Sequence, residues 1–217
     1  MSTTLVGPAY RIETDRLIAR CWSTDDAPDL RRAIDDNDDH LRPWIPFMSD
    51  EPRSLRETAE WLREQRADFD RDVAYRYGLF TRDERTLIGS ICLFRRVGPR
   101  GREVGYWIHR DHGGLGYASE ASKMMVRLAF ETADPIDTEA VDRIEIHCDP
   151  RNKASWAVAR NLGFTHETTL RRRHVDTEGS VGDTMIWTLF ADDYSNSPST
   201  SLSLRAFDVA GETLLDR

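Results

Sequence analysis

One segment combines a strand pattern, several glycines and the start of a helix. Residues 103–108 alternate as a strand does, Gly113, Gly114 and Gly116 follow, and a helical pattern begins at Tyr117. Glycines let backbone N–H groups converge without obstruction, and the helix dipole adds positive potential. The segment is neither a Walker loop nor a G-x-G-x-x-G fingerprint. It therefore predicts a phosphate- or diphosphate-binding turn of another kind, with simple chain reversal as the alternative.

A second segment, residues 148–164, also places polar side chains where a helix begins. Asn152 and Ser155 stand at the start of a helical pattern over 154–162, and Gly163 follows it. Glycine is typical of the position just after a helix. Because serine and asparagine at a helix start commonly bond a backbone N–H, the residues alone leave the role of these two side chains open.

Together, the two segments resemble the GNAT superfamily of N-acetyltransferases. The loop motif of that family, Arg/Gln-x-x-Gly-x-Gly/Ala, matches residues 113–118. Its Asn-x-x-Ser motif matches Asn152 and Ser155, and the Leu-Gly-Phe that follows matches residues 162–164. The resemblance covers about residues 10–194 and carries its motifs in the order of the family.

Two N-terminal stretches are similar to the Rim branch of that family. Residues 13–20 look like its first strand, and residues 41–46 resemble its Leu-Arg-x-Trp-x-Pro loop. The branch includes enzymes that acetylate N-terminal amines of ribosomal proteins. Because the first two helices and the final hairpin line the acceptor groove in this family, the resemblance implies that Trp44, Phe47 and Trp61 shape that groove.

The resemblance implies an α+β GNAT fold, in which helices flank a mixed, mostly antiparallel twisted sheet with a splayed strand pair at the cofactor cleft. The patterns of the chain agree with this fold. Alternating stretches at 75–81, 87–96 and 103–108 predict an antiparallel meander. A helix at 117–133 and a strand at 143–148 are predicted to follow.

Two helices are predicted before the meander. Thr24 offers an N-cap to a helix through Ile34. The capping box at 54–57 opens a second helix that runs to about Asp72. Between them, residues 41–47 contain two prolines and two aromatic residues, which indicates an ordered loop rather than a helix.

The C-terminal residues differ in character from the rest of the chain. Residues 1–194 are predicted to form the acetyltransferase domain, after a final hairpin at 164–190. Residues 195–201 have the composition of a linker. The alternating residues 202–215 predict an extra strand or hairpin, or an arm exchanged in a homodimer, so that 195–217 form an extension.

The resemblance implies transfer of an acetyl group from acetyl-CoA to a primary amine by direct attack on the thioester. The amine must lose a proton, because an ammonium has no lone pair. The thioester oxygen needs stabilisation as it becomes an oxyanion, and the leaving thiolate takes a proton. A peptide N-terminal amine is the favoured acceptor. A small amine (a polyamine, an aminoglycoside or an amino acid) and a non-catalytic acyl-CoA-binding module are the alternatives.

The resemblance also assigns roles to single residues. Glu103, before Gly-Tyr-Trp, is the candidate general base, with a surface carboxylate at a turn as the alternative. Ser155 is the candidate general acid, or else an early-helix serine that satisfies a backbone N–H. Asn152 is expected to contact the pantetheine arm, or else to cap the helix. The expected cofactor-binding residues are Trp107, Ile108, His109, Gly113, Gly114, Leu115, Gly116, Tyr117, Ala118, Asn152 and Ser155.

One position departs from the family pattern. The usual basic first residue of the loop motif is Gly113 here, so a side-chain contribution to diphosphate binding is missing while the backbone amides remain. We expect a modest loss of cofactor affinity, which Arg110 or Lys153 could compensate.

Composition narrows the partners of the protein. The chain has 217 residues with 30 Lys and Arg, 38 Asp and Glu, and a net charge of −8. This balance disfavours direct nucleic-acid binding, which needs clustered cations. No apolar run approaches the roughly 18 residues of a membrane span, and residues 1–5 lack signal-peptide features. Three separated cysteines without metal-ligand spacing predict a cytoplasmic protein with no metal and no disulfide framework.

The acidic excess is concentrated in the first third of the chain. It is densest at residues 35–39, Asp-Asp-Asn-Asp-Asp, between two helical patterns. Such a run is commonly a solvated loop. Because this third borders the acceptor groove in the family, the run is also expected to attract a cationic amine.

Overall fold

The computed structural model describes residues 8–132, 139–177 and 179–217. Its strands are β1 (Arg11–Glu13), β2 (Leu17–Cys21), β3 (Ala74–Thr81), β4 (Leu87–Phe94), β5 (Gly101–Ile108), β6 (Arg143–Cys148), β7 (Thr165–Val175), β8 (Val181–Phe190), β9 (Arg205–Phe207) and β10 (Thr213–Asp216). Its α-helices are α1 (Ala27–Asp35), α2 (Asp38–Leu41), α3 (Leu55–Asp70), α4 (Tyr117–Glu131) and α5 (Lys153–Asn161). The predicted end of the α4 helix at residue 133 lies outside the described residues.

These strands pair into one mixed sheet in the order β10-β9-β1-β2-β3-β4-β5-β6-β8-β7. All neighbours are antiparallel except β5 and β6, which are parallel. Apolar cores lie on both faces: α4 and α5 pack on one face through Met124 and Val158, and α1 and α3 pack around Trp107 on the other. The predicted α+β fold is confirmed. No helix in the described ranges combines the length and the apolar character needed to cross a bilayer.

The parallel pairing of β5 with β6 is short. Its last partners are Glu103 and Glu145, the third residue of each strand. Beyond them, β5 stays paired with β4 as far as Ile108, and β6 stays paired with β8 as far as Cys148. The two strands therefore separate into a split, and each presents a row of backbone groups to it that no strand pairs. The predicted splayed strand pair is confirmed.

The first helical region is capped by a different residue from the one predicted. Ser23, rather than Thr24, is the N-cap: its hydroxyl accepts from Asp25 N at 3.3 Å, and its own N–H donates to the Asp26 carboxylate at 2.8 Å. A 3-10 turn follows, and α1 begins at Ala27 with a proline in its first turn. A reciprocal side-chain cap thus forms one residue earlier than the prediction.

The capping box of the next long helix is confirmed. Ser54 Oγ accepts from Glu57 N at 3.2 Å, and the Glu57 carboxylate accepts from Ser54 N at 2.7 Å. The loop predicted at 41–47 begins later than expected, because α2 includes Leu41. Helix α2 ends there, before the two prolines that cannot continue it.

The Ser-rich stretch is packed and does not behave as the predicted linker. Ser197 and Ser199 are buried in 3-10 turns, and Ser197 Oγ donates to Leu162 O at 2.8 Å. After it, β9 pairs with β1 and β10 pairs with β9, so the tail extends the sheet of its own chain as a hairpin. The predicted domain boundary at residue 194 and the homodimer stay predictions.

A buried arginine ties this tail to the rest of the protein. Arg127, on α4, is 3% exposed. Its guanidinium donates to the Glu131 carboxylate at 2.8 and 2.7 Å, to Leu202 O and to Arg217 O at 3.2 Å. The Arg127 side chain therefore donates to a carboxylate on its own helix and to two main-chain oxygens, one at each end of residues 202–217.

Replacing Arg127 by Met should lower the free energy of unfolding by about 3 kcal/mol, because the Glu131 carboxylate and two main-chain oxygens lose a buried charged donor. Denaturant unfolding followed by circular dichroism measures the change. The matched control is Arg32→Met, which removes an exposed pair with Asp29 and should change stability by about 0.5 kcal/mol or less. Equal losses in the two variants would contradict the role of Arg127.

Candidate active site

The loop after β5 ends in an α-helix whose first turn has no side-chain cap. Gly113 N donates to Arg110 O at 3.0 Å and closes a short 3-10 turn. Gly114 and Gly116 follow with φ of 74° and 83°, in the left-handed region that favours glycine. Gly116 is the N-cap residue of α4 and offers no side chain to its N–H groups. The amides at the start of α4 therefore remain available to an anion.

The start of α5 lies on the other side of the split. Asn152 Oδ1 accepts from Ser155 N at 3.1 Å. This oxygen therefore caps the helix, which is the alternative given for Asn152 above. The amide nitrogen of the same side chain takes no part in the cap. Tyr106, on β5, places its hydroxyl 3.1 Å from both Ser155 Oγ and Ser155 O. This contact bridges the split from β5 to α5.

Tyr106 was not among the predicted site residues. The sequence pattern identifies it as an alternating sheet residue, which is correct for its backbone. Burial raises the pKa of Tyr106, so the hydroxyl stays protonated and able to donate. A phenol between Val104 and Ile108 on one face of β5 is the signal that could have marked it.

Cys148 lies beside Ser155 at the end of β6. Burial raises the pKa of the Cys148 thiol to about 11, against a smaller lowering by the Ser155 hydroxyl. A protonated thiol is a poor nucleophile. The cysteine nearest the predicted general acid is therefore unsuited to forming an acetyl-enzyme.

The predicted base is buried and paired. Glu103 is 5% exposed, not a surface carboxylate, and it accepts from Arg96 Nε at 2.7 Å and from Arg96 Nη2 at 2.6 Å. His147, on β6, has Nδ1 3.9 Å from Glu103 Oε2 and Nε2 2.6 Å from Glu145 Oε2. The sheet thus brings together two carboxylates, one imidazole and one guanidinium where the split begins.

Three predicted cofactor-binding residues precede the loop. The Trp107 side chain is buried in the core around α1 and α3, and Ile108 packs on the other core. His109 Nδ1 accepts from Asp111 N at 3.2 Å and caps the 3-10 turn, and burial lowers the pKa of its imidazole. The N–H of His109 donates to Ile88 O at 2.8 Å on the β4 side, so it is directed away from the split.

The cation next to the glycine loop is not the one expected. Arg110 forms an ion pair with Asp39 on α2 and so points away from the loop. Arg16 instead donates to Leu115 O at 2.9 Å, and its guanidinium lies 4.7 Å from the centre of the Tyr117 ring. It also donates to Glu120 in the first turn of α4. No local signal marks Arg16, since about 100 residues separate it from the loop it contacts.

The acidic run at 35–39 is largely neutralised, which weakens the expected attraction of a cationic amine. Its carboxylates end α1 and begin α2 instead of forming a loop. Arg31 Nη2 lies 2.8 Å from Asp35, Arg42 Nη2 lies 2.5 Å from Asp38, and Arg110 pairs with Asp39.

The aromatic residues predicted at the acceptor side occupy two environments. The Phe47 and Trp61 rings lie 5.8 Å apart, partly buried on the α1 and α3 core. Trp44 is 36% exposed, with the Arg151 guanidinium 5.9 Å from its ring centre. The β7–β8 hairpin reaches the same loop, because Thr177 Oγ1 donates to Arg42 O at 3.0 Å.

A comparison with protein families decides the identity of the fold. The model of the acetyltransferase (GNAT) domain matches residues 16–165. The chain belongs to the GNAT acetyltransferase family. The N-acetyltransferase prediction is therefore confirmed at the level of the family, and the split between β5 and β6 is part of a GNAT domain. Within the described residues, no group of three or more His, Cys, Asp or Glu side chains could hold a metal ion.

Individual relatives place this GNAT protein beside the Rim-type enzymes. The [ribosomal protein uS5]-alanine N-acetyltransferase of Escherichia coli (strain K12) is 29% identical over 167 residues, 74% of this chain and 80% of that protein. The crystal structure of ribosomal-protein-S5-alanine acetyltransferase from Vibrio fischeri is 21% identical, covers 85% of this chain and 98% of that one, and has a TM-score of 0.70. The microcin C7 self-immunity acetyltransferase MccE, solved with acetyl-CoA and AMP, is 18% identical over 81% and 93% of the two chains, with a TM-score of 0.71. These similarities confirm the predicted Rim-type resemblance.

Because its pKa is raised, Cys148 of the folded GNAT protein should react with iodoacetamide at neutral pH about 100-fold more slowly than an exposed cysteine. The rate should increase as the pH rises toward 11, since thiolate then forms. Mass spectrometry of the digested protein measures the modification, and the denatured protein is the control in which Cys148 reacts fully. Rapid alkylation of the folded protein at neutral pH would contradict the burial of this thiol.

Proposed function

We propose that this GNAT protein transfers an acetyl group from acetyl-CoA to the N-terminal amine of a protein or peptide. The observation that carries the proposal is the split between β5 and β6, which lies between the N-termini of α4 and α5 and is bridged by Tyr106 and Ser155. A split of this kind accepts an extended chain between two strands while anion-binding amides lie at its end.

The residues of the split fit acetyl-CoA, which supplies the thioester. The uncapped amides of residues 114–118 suit its diphosphate, and a side chain added at Gly114 would meet no atom within 4 Å, so space is open there. Unpaired backbone groups of β5 beyond Glu103 suit the amides of the pantetheine arm. The Asn152 amide nitrogen adds a donor on the opposite side.

The same residues divide the chemistry of transfer. The main chain near Ile108 is assigned to the thioester oxygen, where N–H donors stabilise an oxyanion. Ser155, next to the protonated Tyr106, is assigned to return a proton to the leaving thiolate. The cluster of Glu103, Glu145 and His147 is assigned to the proton of the amine, because it lies on the face opposite to Tyr106.

The acceptor is proposed from the groove and from the relatives. The loop with Trp44 contacts the β7–β8 hairpin through Thr177, and β8 is the outer neighbour of β6. The Escherichia coli relative is named for acetylating an alanine of ribosomal protein uS5. We propose a peptide N-terminus for this chain as well, and a cytoplasmic setting that suits its three free cysteines.

A thiol-release assay tests the proposed reaction. CoA should be released only when acetyl-CoA and an amine are both present, fastest with peptides that begin with a small residue, and mass spectrometry should place the acetyl group on the α-amine. Peptides with a blocked N-terminus are the matched control. Calorimetric binding of acetyl-CoA without turnover on any peptide, polyamine, aminoglycoside or amino acid would indicate a non-catalytic acyl-CoA-binding module instead.

A pair of glycine variants tests the diphosphate site. Gly114 and Gly211 both have positive φ, 74° and 80°, and open space around an added side chain. Substitution by Ala should cost each about 1 kcal/mol of stability. Only Gly114→Ala should also weaken CoA binding, by about 10-fold in calorimetry, because the strain falls on the anion-binding amides. Equal affinities of the two variants would contradict the assigned site.

A further inference from the structure

We propose that His147 is the group that takes the proton from the acceptor amine, held in the required orientation by Glu145. This inference rests on the proposed acetyl transfer and names a catalytic residue and a positioning residue within it. The motif resemblance points to Glu103 for this role, whereas the contacts of the folded chain favour the imidazole on the neighbouring strand.

The position of His147 follows from the sheet. It lies two residues beyond Glu145, the last residue of β6 that has a partner on β5. Side chains alternate along a strand, so His147 and Glu145 lie on the same face of the sheet. The 3.9 Å distance from His147 Nδ1 to Glu103 Oε2 shows that this is also the face of Glu103. His147 thus stands where the split opens.

Glu103 has its hydrogen-bonding capacity engaged. Both of its oxygens accept from Arg96, in a bidentate pair of 2.7 and 2.6 Å, and the side chain is 7% exposed. To take a proton from an amine, Glu103 would first have to give up one of these two hydrogen bonds to Arg96.

Glu145 determines which nitrogen of His147 can accept. The Glu145 carboxylate accepts from Arg143 Nε at 2.8 Å through Oε1, and it lies 2.6 Å from His147 Nε2 through Oε2. An ionised carboxylate accepts only, so Nε2 carries the proton and Nδ1 carries the lone pair. Among the described residues Nδ1 has no hydrogen-bond partner, and the carboxylate next to it is Glu103 at 3.9 Å.

The ionisable groups that face the imidazole come from three strands. Glu145 lies on its own strand and Glu103 on β5, each with an arginine partner, Arg143 and Arg96 respectively. Glu167 of β7 accepts from Thr188, the residue of β8 that is paired with Glu145. The imidazole is therefore in contact with two carboxylates, Glu145 at Nε2 and Glu103 at Nδ1.

The proposed step moves one acetyl group and two protons. The acceptor ammonium gives one proton to His147 Nδ1, and its nitrogen lone pair forms a bond to the thioester carbonyl carbon. The carbon–sulfur bond breaks, and the second proton of the nitrogen reaches the CoA sulfur by way of Ser155 or solvent. The imidazolium then releases its proton to solvent, which leaves an acetylated amine, CoA thiol and one proton.

Two variants separate this role from a structural one. His147→Ala should lower kcat/KM by about 100-fold or more and remove the fall in activity at acidic pH, while the affinity for CoA in calorimetry stays unchanged. Added imidazole should restore turnover, because His147 is partly exposed and its removal leaves access to the split. The matched control is His166→Ala on β7, which changes an exposed histidine and should leave turnover unaltered.

Measurements on Glu103 and Glu145 complete the test. Glu103→Gln should slow turnover less than His147→Ala and keep the acidic limb of the pH profile. Nitrogen-15 NMR of labelled histidine should show the proton of neutral His147 on Nε2, and Glu145→Gln should remove that preference, since an amide can either donate or accept. This readout needs no turnover, so it decides the orientation of His147 before any acceptor is known.

Distinct results overturn the two proposals. Wild-type protein that releases no CoA with any amine contradicts the proposed function. His147→Ala with wild-type turnover, variant activity that imidazole does not restore, or a proton on Nδ1 contradicts the role of His147 alone. Loss of the acidic limb in Glu103→Gln but not in His147→Ala would assign the proton to Glu103.

Discussion

The site depends on one interrupted interaction, the parallel pairing of β5 with β6. Three residues of each strand pair, and then both strands keep only their outer neighbours. The outer hydrogen bonds hold each strand in place, so the split remains open without loss of the sheet. Everything assigned to catalysis is arranged around it: the amides at the start of α4, the first turn of α5, and the side chains that the two strands direct to either face.

Strand alternation places the groups proposed to deprotonate the amine and those proposed to protonate the thiolate on opposite faces of the sheet. Glu103 and Tyr106 are three residues apart on β5 and therefore lie on opposite faces of the sheet. On the side of α4 and α5, Tyr106 reaches Ser155, where the leaving thiolate is proposed to lie. On the opposite face, Glu103 lies near His147 and Glu145, where the acceptor amine is proposed to lose its proton. The proposal places the thioester between the strands, where both groups could act on it.

Local ion pairs, rather than the net charge, determine the electrostatics of the acidic run in this protein. The net charge of −8 suggests an acidic surface, yet the acidic run of α1 and α2 is mostly paired with Arg31, Arg42 and Arg110. Exposed pairs of this kind add little stability, but they remove the field that would have drawn in a cationic acceptor. The proposed recognition of an acceptor therefore rests on the surface near Trp44 rather than on the acidic run.

Local signals in the sequence determined the glycine loop at Gly113–Gly114, the Ser54 capping box and the meander, because each depends on residues close together in the chain. They also determined the family resemblance, and with it the fold. Only the tertiary structure placed Arg16 against the loop, paired Glu103 with Arg96 at the edge of the split, and set His147 between two carboxylates. The physical reason is that these contacts depend on how the elements meet in space. The strands β5 and β6, for example, are joined through a helix and lie about 40 residues apart, so no local pattern encodes which of their side chains meet.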